Sequence, residues 1–277
     1  MANNINLTAE ICILIPCYNN IDGLIKSILS IVYHENRYLI VVVDDGSHQA
    51  VTKTELDKHL PLTVNIHIIR FDENQGIIKA LNTGLDFIYT NYSPEYIARL
   101  DCGDTCHPDR FFKQVTYFQN CPSIDLLGSW CYFINGKTGE AYKYVTPTQH
   151  KFIKYSMYFR NVFIHPTVMW RVSSMKTFRY PENYPHAEDY GLFYDMVSKK
   201  HATIIDEFLV NCEINPQGIS FQNRFEQLQS RLKVVQDYGK NKLWVTIGAC
   251  KLILLMIMPY GFVYQIKKQL FKVNSVN

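Results

Sequence analysis

The chain has 277 residues, of which 47% are hydrophobic and 14% aromatic, and this composition is typical of a globular protein rather than a disordered chain. Its net charge is only +3, and its eight cysteines are scattered, which favours reduced thiols over a disulfide framework. The polar stretch after Met1 lacks the features of a secretory signal, so we expect a cytoplasmic protein.

The first hundred residues alternate between short apolar runs and segments with helical spacing. Strands are predicted at the apolar runs 11–16, 38–45, 64–70 and 96–101. Buried strands separated by helices indicate a parallel sheet that is covered on both faces. Polar residues that follow these strands are then expected at the carboxyl edge of the sheet, where open α/β folds bind ligands.

The second half is less regular. A helix is predicted over 109–119, and two acidic residues begin another at 186–200. The strands predicted in this half are 125–134, 163–171 and 202–210. Because no internal repeat or flexible linker separates the halves, we expect one compact α/β unit.

The tail from Phe225 has a helical pattern and a charge of its own. From Arg224 onward the chain has nine Lys/Arg and two Asp/Glu, a local charge of +7, whereas the preceding 223 residues carry 19 basic and 23 acidic residues, or −4. Because this segment is also rich in Leu, Ile and Met, a membrane surface fits it better than nucleic acid does.

The apolar stretch Leu243–Val263 is long enough to span a membrane, but Lys251 and Pro259 interrupt it. Beyond Pro259, apolar residues form one stripe, with Lys268 and Lys272 on the other side. We therefore predict an amphipathic helix that lies on the membrane surface. A C-terminal helix packed on the body of the protein is the alternative.

Two pairs of aspartates follow predicted strands. Asp44 and Asp45 end the most apolar strand, and buried acids require a ligand or hydrogen-bond partners, although an Asx turn is an equal alternative. Asp101 and Asp104 end the fourth strand, and two carboxylates on one loop can hold a divalent cation together with phosphate oxygens. Capping of the following helix by Asp104 is the alternative.

Three further groups have the residue types of a functional site. Glu188 and Asp189 open a helix, where a carboxylate that faced a cleft would serve as a general base, although acids are common in first turns. His165 is either a polar contact or a structural histidine. Cys102, Cys106 and His107 are weak zinc candidates because no second pair follows at matching spacing. The sequence lacks Gly-rich dinucleotide and P-loop motifs.

Six segments, in order, carry a resemblance: ILIPCYNN, VVVDDGS, NQGIIKALNTGLDF, YIARLDCGDTCHPDRFFKQ, IHPTVMWR and AEDYGLFYDMV. Together they resemble the family 2 inverting glycosyltransferases of the GT-A fold, most of all the bacterial branch that builds lipopolysaccharide, O-antigen or capsule glycans. The resemblance implies a mostly parallel sheet flanked by helices. It implies a nucleotide-sugar-binding half at 1–107, an acceptor-binding and catalytic half at 108–224, and a tail at 225–277 on the inner face of the cell membrane.

The resemblance also implies roles for residues. The donor, a UDP-linked hexose or N-acetylhexosamine, would contact Pro16, Tyr18, Asp44, Asp45, Asn74, Gly76, Lys79, Asn82 and Asp101. Asp104, together with Asp101, would hold Mn²⁺ or Mg²⁺ on the diphosphate, with Asp104 as the direct ligand. His165 and Thr167 would line the acceptor side. Asp189 would be the base that deprotonates the acceptor hydroxyl, with Glu188 as its neighbour.

The chain departs from the family pattern at two places. Gly103 replaces a usual middle acid of the cation loop, and Glu213 and Asn215 stand where an Arg and a His are frequent. Two alternatives to the transferase therefore remain at this point. One is a nucleotidyltransferase on a related sheet, and the other is a catalytically inactive relative that binds sugars or protein partners.

Overall fold

The computed structural model describes residues 9–136, 138–214 and 223–258, together with a short strand at Lys272–Val273. The strands are β1 (Ile11–Cys17), β2 (Tyr38–Asp44), β3 (Ile66–Arg70), β4 (Tyr96–Arg99), β5 (Thr105–Cys106), β6 (Leu126–Ile134), β7 (Ala141–Tyr144), β8 (Met169–Arg171), β9 (Ala202–Glu213) and β10 (Lys272–Val273). The helices are α1 (Ile21–Leu29), α2 (Lys53–Leu56), α3 (Ile77–Asn91), α4 (Arg110–Asn120), α5 (His150–Ser156), α6 (Val172–Met175), α7 (Glu188–Lys199), α8 (Arg224–Tyr238) and α9 (Lys242–Ile257).

The first half of the chain forms the parallel part of the sheet. Its strands lie in the order β3-β2-β1-β4, and all three pairings are parallel. Ile11, Ile13 and Ile15 of β1 belong to the apolar cluster that includes residues of α1 and α4, while Cys12 and Leu14 belong to the cluster that includes residues of α3. Both faces of these strands are thus covered, as the continuous apolar runs predict.

The second half makes the sheet mixed, so the prediction of a mostly parallel sheet is wrong there. β8 is antiparallel to β4 and to β6, and β7 is antiparallel to β6, whereas β9 returns parallel to β6. The physical reason for the β6–β7 pairing is the short connection between the two strands, which allows only an antiparallel hairpin. The sheet is continuous across residue 107, because β4 pairs with both β1 and β8.

The sequence predicts a single strand over 163–171, and this prediction is wrong. A 3-10 turn occupies His165–Thr167, and the strand begins only at Met169. Pro166 lies in this turn, and proline has no backbone N–H to donate to a sheet ladder. The turn brings His165 near the end of β4, because Arg99 N donates to the Val168 carbonyl at 2.9 Å.

The helical prediction for the tail is confirmed over α8 and α9, which pack on each other. Gly248 allows α9 to approach α5 and its following turn, since a Cβ at that position would lie 2.1 Å from the Tyr158 carbonyl oxygen. Within the described residues, no helix is long and apolar enough to cross a membrane. The amphipathic stripe predicted beyond Pro259 lies outside the described residues.

Candidate active site

Asp44, at the end of β2, is fully buried and has hydrogen bonds on both carboxylate oxygens. Its Oδ1 accepts from Ser47 N at 3.0 Å, and its Oδ2 accepts from Val51 N at 3.0 Å and from the Arg70 guanidinium. Burial alone would raise the pKa of Asp44, but these hydrogen bonds outweigh it and the pKa is lowered. Asp44 therefore holds the loop after β2 in shape as a permanent anion.

Asp45 connects this loop to the start of α3, about thirty residues later. Its Oδ1 accepts from Gln75 N at 2.7 Å, and its Oδ2 accepts from Gly76 N at 3.0 Å and from Asn74 Nδ2 at 3.0 Å. Burial raises the pKa of Asp45. Three of the residues predicted to bind the donor, Asp45, Asn74 and Gly76, are thus brought together at one edge of the sheet.

The other predicted donor residues differ in exposure. Tyr18 is 47% exposed and Lys79 is exposed, whereas Pro16 is buried at the end of β1. The side-chain amide of Asn82 is paired with the backbone of Tyr180, accepting from its N and donating to its O, both at 2.9 Å. A direct contact of Asn82 with a nucleotide stays a prediction; in the structure this side chain joins α3 to the segment before α7.

The cation loop, residues 101–104, is a tight turn in which Asp104 N donates to the Asp101 carbonyl at 3.1 Å. Gly103 has a φ of +106°, a conformation that L side chains rarely adopt, and its N donates to Ser27 Oγ at 2.9 Å. A Cβ at Gly103 would still have room, with Asn20 Nδ2 at 3.6 Å. The backbone conformation at residue 103, rather than a lack of space, therefore favours glycine there.

The two carboxylates of the cation loop are placed differently. Asp104 is 7% exposed and accepts from Glu213 N at 2.8 Å, and burial together with the charge of Asp101 raises its pKa to about 8. The side chain of Asp101 is 39% exposed, and its Oδ1 accepts from Arg99 Nη2 at 2.6 Å. Asp101 therefore lies nearer the surface of the edge, and Asp104 lies behind it.

These residues suit Mn²⁺ or Mg²⁺ as a set of hard oxygen ligands, since such cations are bound by one or two carboxylates plus substrate phosphates. The raised pKa of Asp104 is the behaviour of a buried carboxyl group without a positive partner. In the described part of the chain, no group of three or more His, Cys, Asp or Glu could hold a metal. The zinc candidates are not gathered there either, since His107 is exposed whereas Cys106 is buried beside Arg110.

His165 and Arg99 form a buried pair on the other side of Asp101. Nε2 of His165 lies 3.1 Å from Arg99 Nε and 2.7 Å from the Tyr180 hydroxyl; since arginine can only donate, this nitrogen is an acceptor. Burial and the Arg99 charge lower the pKa of His165 to about 3, so the imidazole is neutral. The Thr167 hydroxyl is fully buried and donates to the Ile164 carbonyl at 2.8 Å, so its contact with an acceptor stays a prediction.

Glu188 and Asp189 lie at the first turn of α7, and their surroundings separate their protonation states. Asp189 accepts from Tyr190 N at 2.6 Å and from Asn161 Nδ2 at 2.9 Å, and burial raises its pKa to about 6. Glu188 has a buried Oε2 with no hydrogen-bond partner among the described residues, and burial and the Asp189 charge raise its pKa to about 8. Burial and the neighbouring negative charges thus favour retention of a proton on the pair.

Four residues of this arrangement are not predicted from the sequence: Arg99, Asn161, Tyr180 and Ser27. Arg99 had a recognisable signal, because an arginine that ends an apolar strand must find partners when it is buried. The charge of Asp101 also contributes, after burial, to the raised pKa of both Glu188 and Asp189. The cation loop and the start of α7 are therefore electrostatic neighbours.

A comparison with protein families found a matching model. The model described as Glycosyl transferase family 2 matches residues 12–180. The match includes the loop after β2, the start of α3, the cation loop and His165, and it ends before Glu188.

Three curated relatives are similar over different shares of their lengths. Bifunctional glycosyltransferase pgtA of Dictyostelium discoideum is 30% identical over 62% of this chain, which spans only 26% of that protein. Uncharacterized glycosyltransferase MJ1057 of Methanocaldococcus jannaschii is 25% identical, with 84% of this chain and 80% of that protein covered. Amylovoran biosynthesis glycosyltransferase AmsE of Erwinia amylovora is 31% identical, with 58% of this chain and 59% of that protein covered.

Two solved structures share the fold. S. aureus TarS 1-349 in complex with UDP-GlcNAc has a TM-score of 0.62 at 15% identity, with 94% of this chain and 77% of that chain covered. Mannosyltransferase PcManGT from Pyrobaculum calidifontis, in complex with GDP-Man and Mn²⁺, has a TM-score of 0.58 at 12% identity. The similarity covers 94% of this chain and 79% of that chain. The fold of this chain is thus α/β and GT-A-like, with a mixed sheet flanked by helices.

Proposed function

The chain belongs to glycosyl transferase family 2, and from this premise we propose that it is an inverting glycosyltransferase that moves a sugar from a UDP-sugar to a glycan or lipid-linked glycan. The observation that carries the proposal is the pair of acids Glu188 and Asp189 at the first turn of α7, beside the loop of Asp101 and Asp104, with the buried Oε2 of Glu188 unpartnered within the described residues. A transfer to a hydroxyl group requires a base on the acceptor and charge compensation on the leaving group, and this edge of the sheet has candidates for both.

The donor site of the proposal consists of the loop after β2 and the start of α3. Asp45 holds Asn74 and Gly76 in place, and Tyr18 and Lys79 offer an exposed ring and an exposed cation nearby. Asp104 and Asp101 would hold Mn²⁺ or Mg²⁺. When bound, the cation would offset the negative charge that grows on the departing nucleoside diphosphate.

Asp189 acts as the base. Its ionised carboxylate accepts the proton of the acceptor hydroxyl while that oxygen forms a bond to the anomeric carbon. The bond between this carbon and the diphosphate oxygen breaks on the opposite face, so the configuration inverts. Glu188, protonated at neutral pH, donates a hydrogen bond to the acceptor. This role fits its Oε2, which is buried and has no hydrogen-bond partner within the described residues.

The identities of donor and acceptor rest on similar proteins. The fold is shared with TarS structures that contain UDP or UDP-GlcNAc, which supports a UDP-linked hexose or N-acetylhexosamine. PcManGT, with GDP-Man and Mn²⁺, supports a divalent cation and makes GDP-sugars the first donors to compare. AmsE, named for amylovoran biosynthesis, supports a role in cell-surface polysaccharide synthesis, including lipopolysaccharide or O-antigen.

We place the protein at the inner face of the cell membrane because of α9. Leu243, Leu254 and Ile257 are apolar and exposed on this helix, and Ile257 is 76% exposed. Replacing Leu254 and Ile257 by serine is expected to lower binding to vesicles that contain anionic phospholipid, measured by co-sedimentation. The matched control is Leu62→Ser, which changes an exposed leucine far from α9 in the sequence. Equal losses of vesicle binding in both variants would argue against a role of α9.

The enzyme is tested by incubation with UDP- and GDP-sugars, Mn²⁺ and lipid-linked or oligosaccharide acceptors, with release of nucleoside diphosphate as the readout. We expect acceptor-dependent release with one donor class. Binding of a sugar nucleotide without any release would favour the catalytically inactive relative. Release of pyrophosphate from a nucleoside triphosphate and a sugar phosphate would identify a nucleotidyltransferase.

A further inference from the structure

Cys17 ends β1, and Cys102 lies in the loop that follows the adjacent strand β4. β1 and β4 pair in parallel with Leu14 opposite Arg99, and three residues further along each chain are Cys17 and Cys102. Their sulfur atoms lie 3.7 Å apart. The first cysteine precedes Tyr18 of the proposed donor site, and the second lies inside the cation loop.

The geometry of the pair is close to that of a disulfide. The sulfur atoms need to approach from 3.7 Å to about 2.0 Å, a movement that rotation of one side chain and a small shift of the loop can supply. Both thiols also contact the same acceptor, the Asn20 carbonyl, at 3.7 Å for Cys17 and 3.0 Å for Cys102.

The pair is also open to a small oxidant on one side. Cys102 is partly exposed, while Cys17 is only 2% exposed and sits behind it. By contrast, Cys131 and Cys212 are neighbours of each other but are both buried in a separate apolar cluster. The exposed thiol of Cys250 lies on α9.

We propose that Cys17 and Cys102 are a redox modification site, in which a peroxide converts the two thiols to a disulfide that fixes the cation loop to the end of β1. One of the two sulfurs attacks hydrogen peroxide and takes up one oxygen as sulfenic acid while one water leaves. The sulfur of the other cysteine then attacks the sulfenic sulfur, forming the S–S bond and releasing a second water. Two thiols and one peroxide thus become one disulfide and two waters, and a dithiol reductant reverses the change.

The consequence for the loop rests on the proposed function. Asp101 and Asp104 flank Cys102, and Asp104 is 7% exposed, so cation binding through Asp104 requires the loop to move outward. The Ser27 hydroxyl already holds this loop, since it accepts from Gly103 N at 2.9 Å and donates to the Asp101 carbonyl at 3.2 Å. A covalent bond at Cys102 would add a restraint that thermal motion cannot break, and would weaken cation-dependent nucleotide binding.

The test uses the full chain, treated with hydrogen peroxide or with a dithiol reductant, then alkylated and digested without reduction. We expect a cross-linked peptide pair containing Cys17 and Cys102 by mass spectrometry. Affinity for UDP or GDP with Mn²⁺, measured by calorimetry, is expected to fall about tenfold on oxidation and to recover on reduction. Cys250→Ser should behave as the unsubstituted protein, whereas Cys102→Ser and Cys17→Ser should each abolish the cross-link and the response to peroxide.

The outcomes separate the two proposals. Absence of the cross-linked peptide would overturn the modification site, whatever the nucleotide affinity. A complete cross-link with unchanged affinity would overturn its control of the cation loop. Failure of the reduced protein to bind either nucleotide would count against the proposed function alone, because the peptide analysis needs no ligand.

Discussion

Asp44, at one end of the site, and the acidic pair at the other end have pKa values that are shifted in opposite directions. At the donor edge, which consists of the loop after β2 and the start of α3, Asp44 is buried but receives hydrogen bonds on both oxygens, and its pKa is lowered. At the acceptor edge, which consists of His165, Tyr180, Glu188 and Asp189, carboxyl groups are buried with fewer donors and their pKa values are raised. Asp45 also accepts from three donors at the donor edge, and its pKa is nevertheless raised. Asp44 accepts in addition from the Arg70 guanidinium, so a positive partner rather than the number of donors distinguishes it.

This difference separates structural from reactive acids. A buried anion that is fully hydrogen-bonded stabilises the fold and does not change its charge near neutral pH. A buried acid with an unfilled oxygen, such as Glu188, destabilises its charged form and can exchange a proton with a ligand. The cation loop lies between the two edges, and Asp104 there resembles the acceptor edge, with a pKa raised to about 8.

The largest effect is expected from Asp189→Asn. The amide keeps the size of the side chain but cannot take up the acceptor proton, so we expect transfer to fall by about 10²–10⁴-fold while nucleotide affinity is retained. Steady-state transfer and calorimetry with UDP or GDP measure the two quantities. Asp195→Asn, on the same helix with only a surface partner in Lys199, is the control. A loss of nucleotide affinity in Asp189→Asn would remove Asp189 from the role of base.

The second prediction concerns stability at the donor edge. Asp44→Asn leaves the Arg70 guanidinium without its anion, and we expect the free energy of unfolding at pH 7 to fall by about 2 kcal/mol. Because the pKa of Asp44 is lowered on folding, its contribution is present above the ordinary aspartate pKa and disappears as the pH falls through the folded value. The difference in the free energy of unfolding between Asp44→Asn and the unsubstituted protein, measured by denaturant titration, should therefore be smaller at pH 3 than at pH 7.

The control for this prediction is Asp86→Asn, which removes an exposed partner of Arg179. Surface ion pairs contribute little, so the change should be within about 0.5 kcal/mol. If the two variants lose equal stability, the hydrogen bonds of Asp44 are not what distinguishes the donor edge.

The third prediction is the reverse effect at the acceptor edge. Because the pKa of Glu188 is raised from 4.5 to about 8 on folding, the folded state binds more protons between these values and stability falls as pH rises. Glu188→Gln removes this penalty and should raise the free energy of unfolding at pH 8 by up to about 4 kcal/mol, with little change at pH 4. Lower stability of the variant at pH 8 would contradict the assignment of Glu188 to the reactive class.

Transfer by the unsubstituted enzyme should have a bell-shaped pH dependence. The rate is expected to fall below about pH 6, where Asp189 becomes protonated, and above about pH 8, where Glu188 loses its proton. In Glu188→Gln the alkaline limb should be absent, while the acid limb remains. An unchanged alkaline limb would assign that ionisation to another group.

The smallest effect is expected at the loop between the two edges. Gly103→Ala places a Cβ where there is room but forces a residue with a side chain to a φ of +106°, so we expect a loss of about 1 kcal/mol in stability. Gly139→Ala is the matched control, because its φ is +69° and nothing lies within 4 Å of the added Cβ. Only Gly103→Ala should also lower nucleotide affinity with Mn²⁺; the same decrease in Gly139→Ala would indicate a general effect.

The donor edge is predicted well from the sequence because its signals are local. Continuous apolar runs define the parallel strands, and polar residues at their ends define the edge, so Asp45 and Asn74 are found together as expected. The acceptor edge depends on contacts between distant segments, which no spacing rule reveals. Arg99 is 66 residues from its partner His165, and Asn82 is 98 residues from Tyr180. The mixed sheet was missed for the same reason, since β4 and β8 are joined only through tertiary pairing.

The pairing of Asn82 with Tyr180 has a consequence for how the two substrates affect each other's affinity. Asn82 lies on α3, whose first turn follows the donor segment Asn74–Gly76, and Tyr180 is hydrogen-bonded to His165 at the acceptor edge. A displacement of α3 on donor binding would therefore move the residue that positions His165. Thermodynamic linkage then requires reciprocity: the factor by which the donor changes acceptor affinity must equal the factor by which the acceptor changes donor affinity. A hydrogen-bonded connection of this kind would couple the two affinities without a separate regulatory domain.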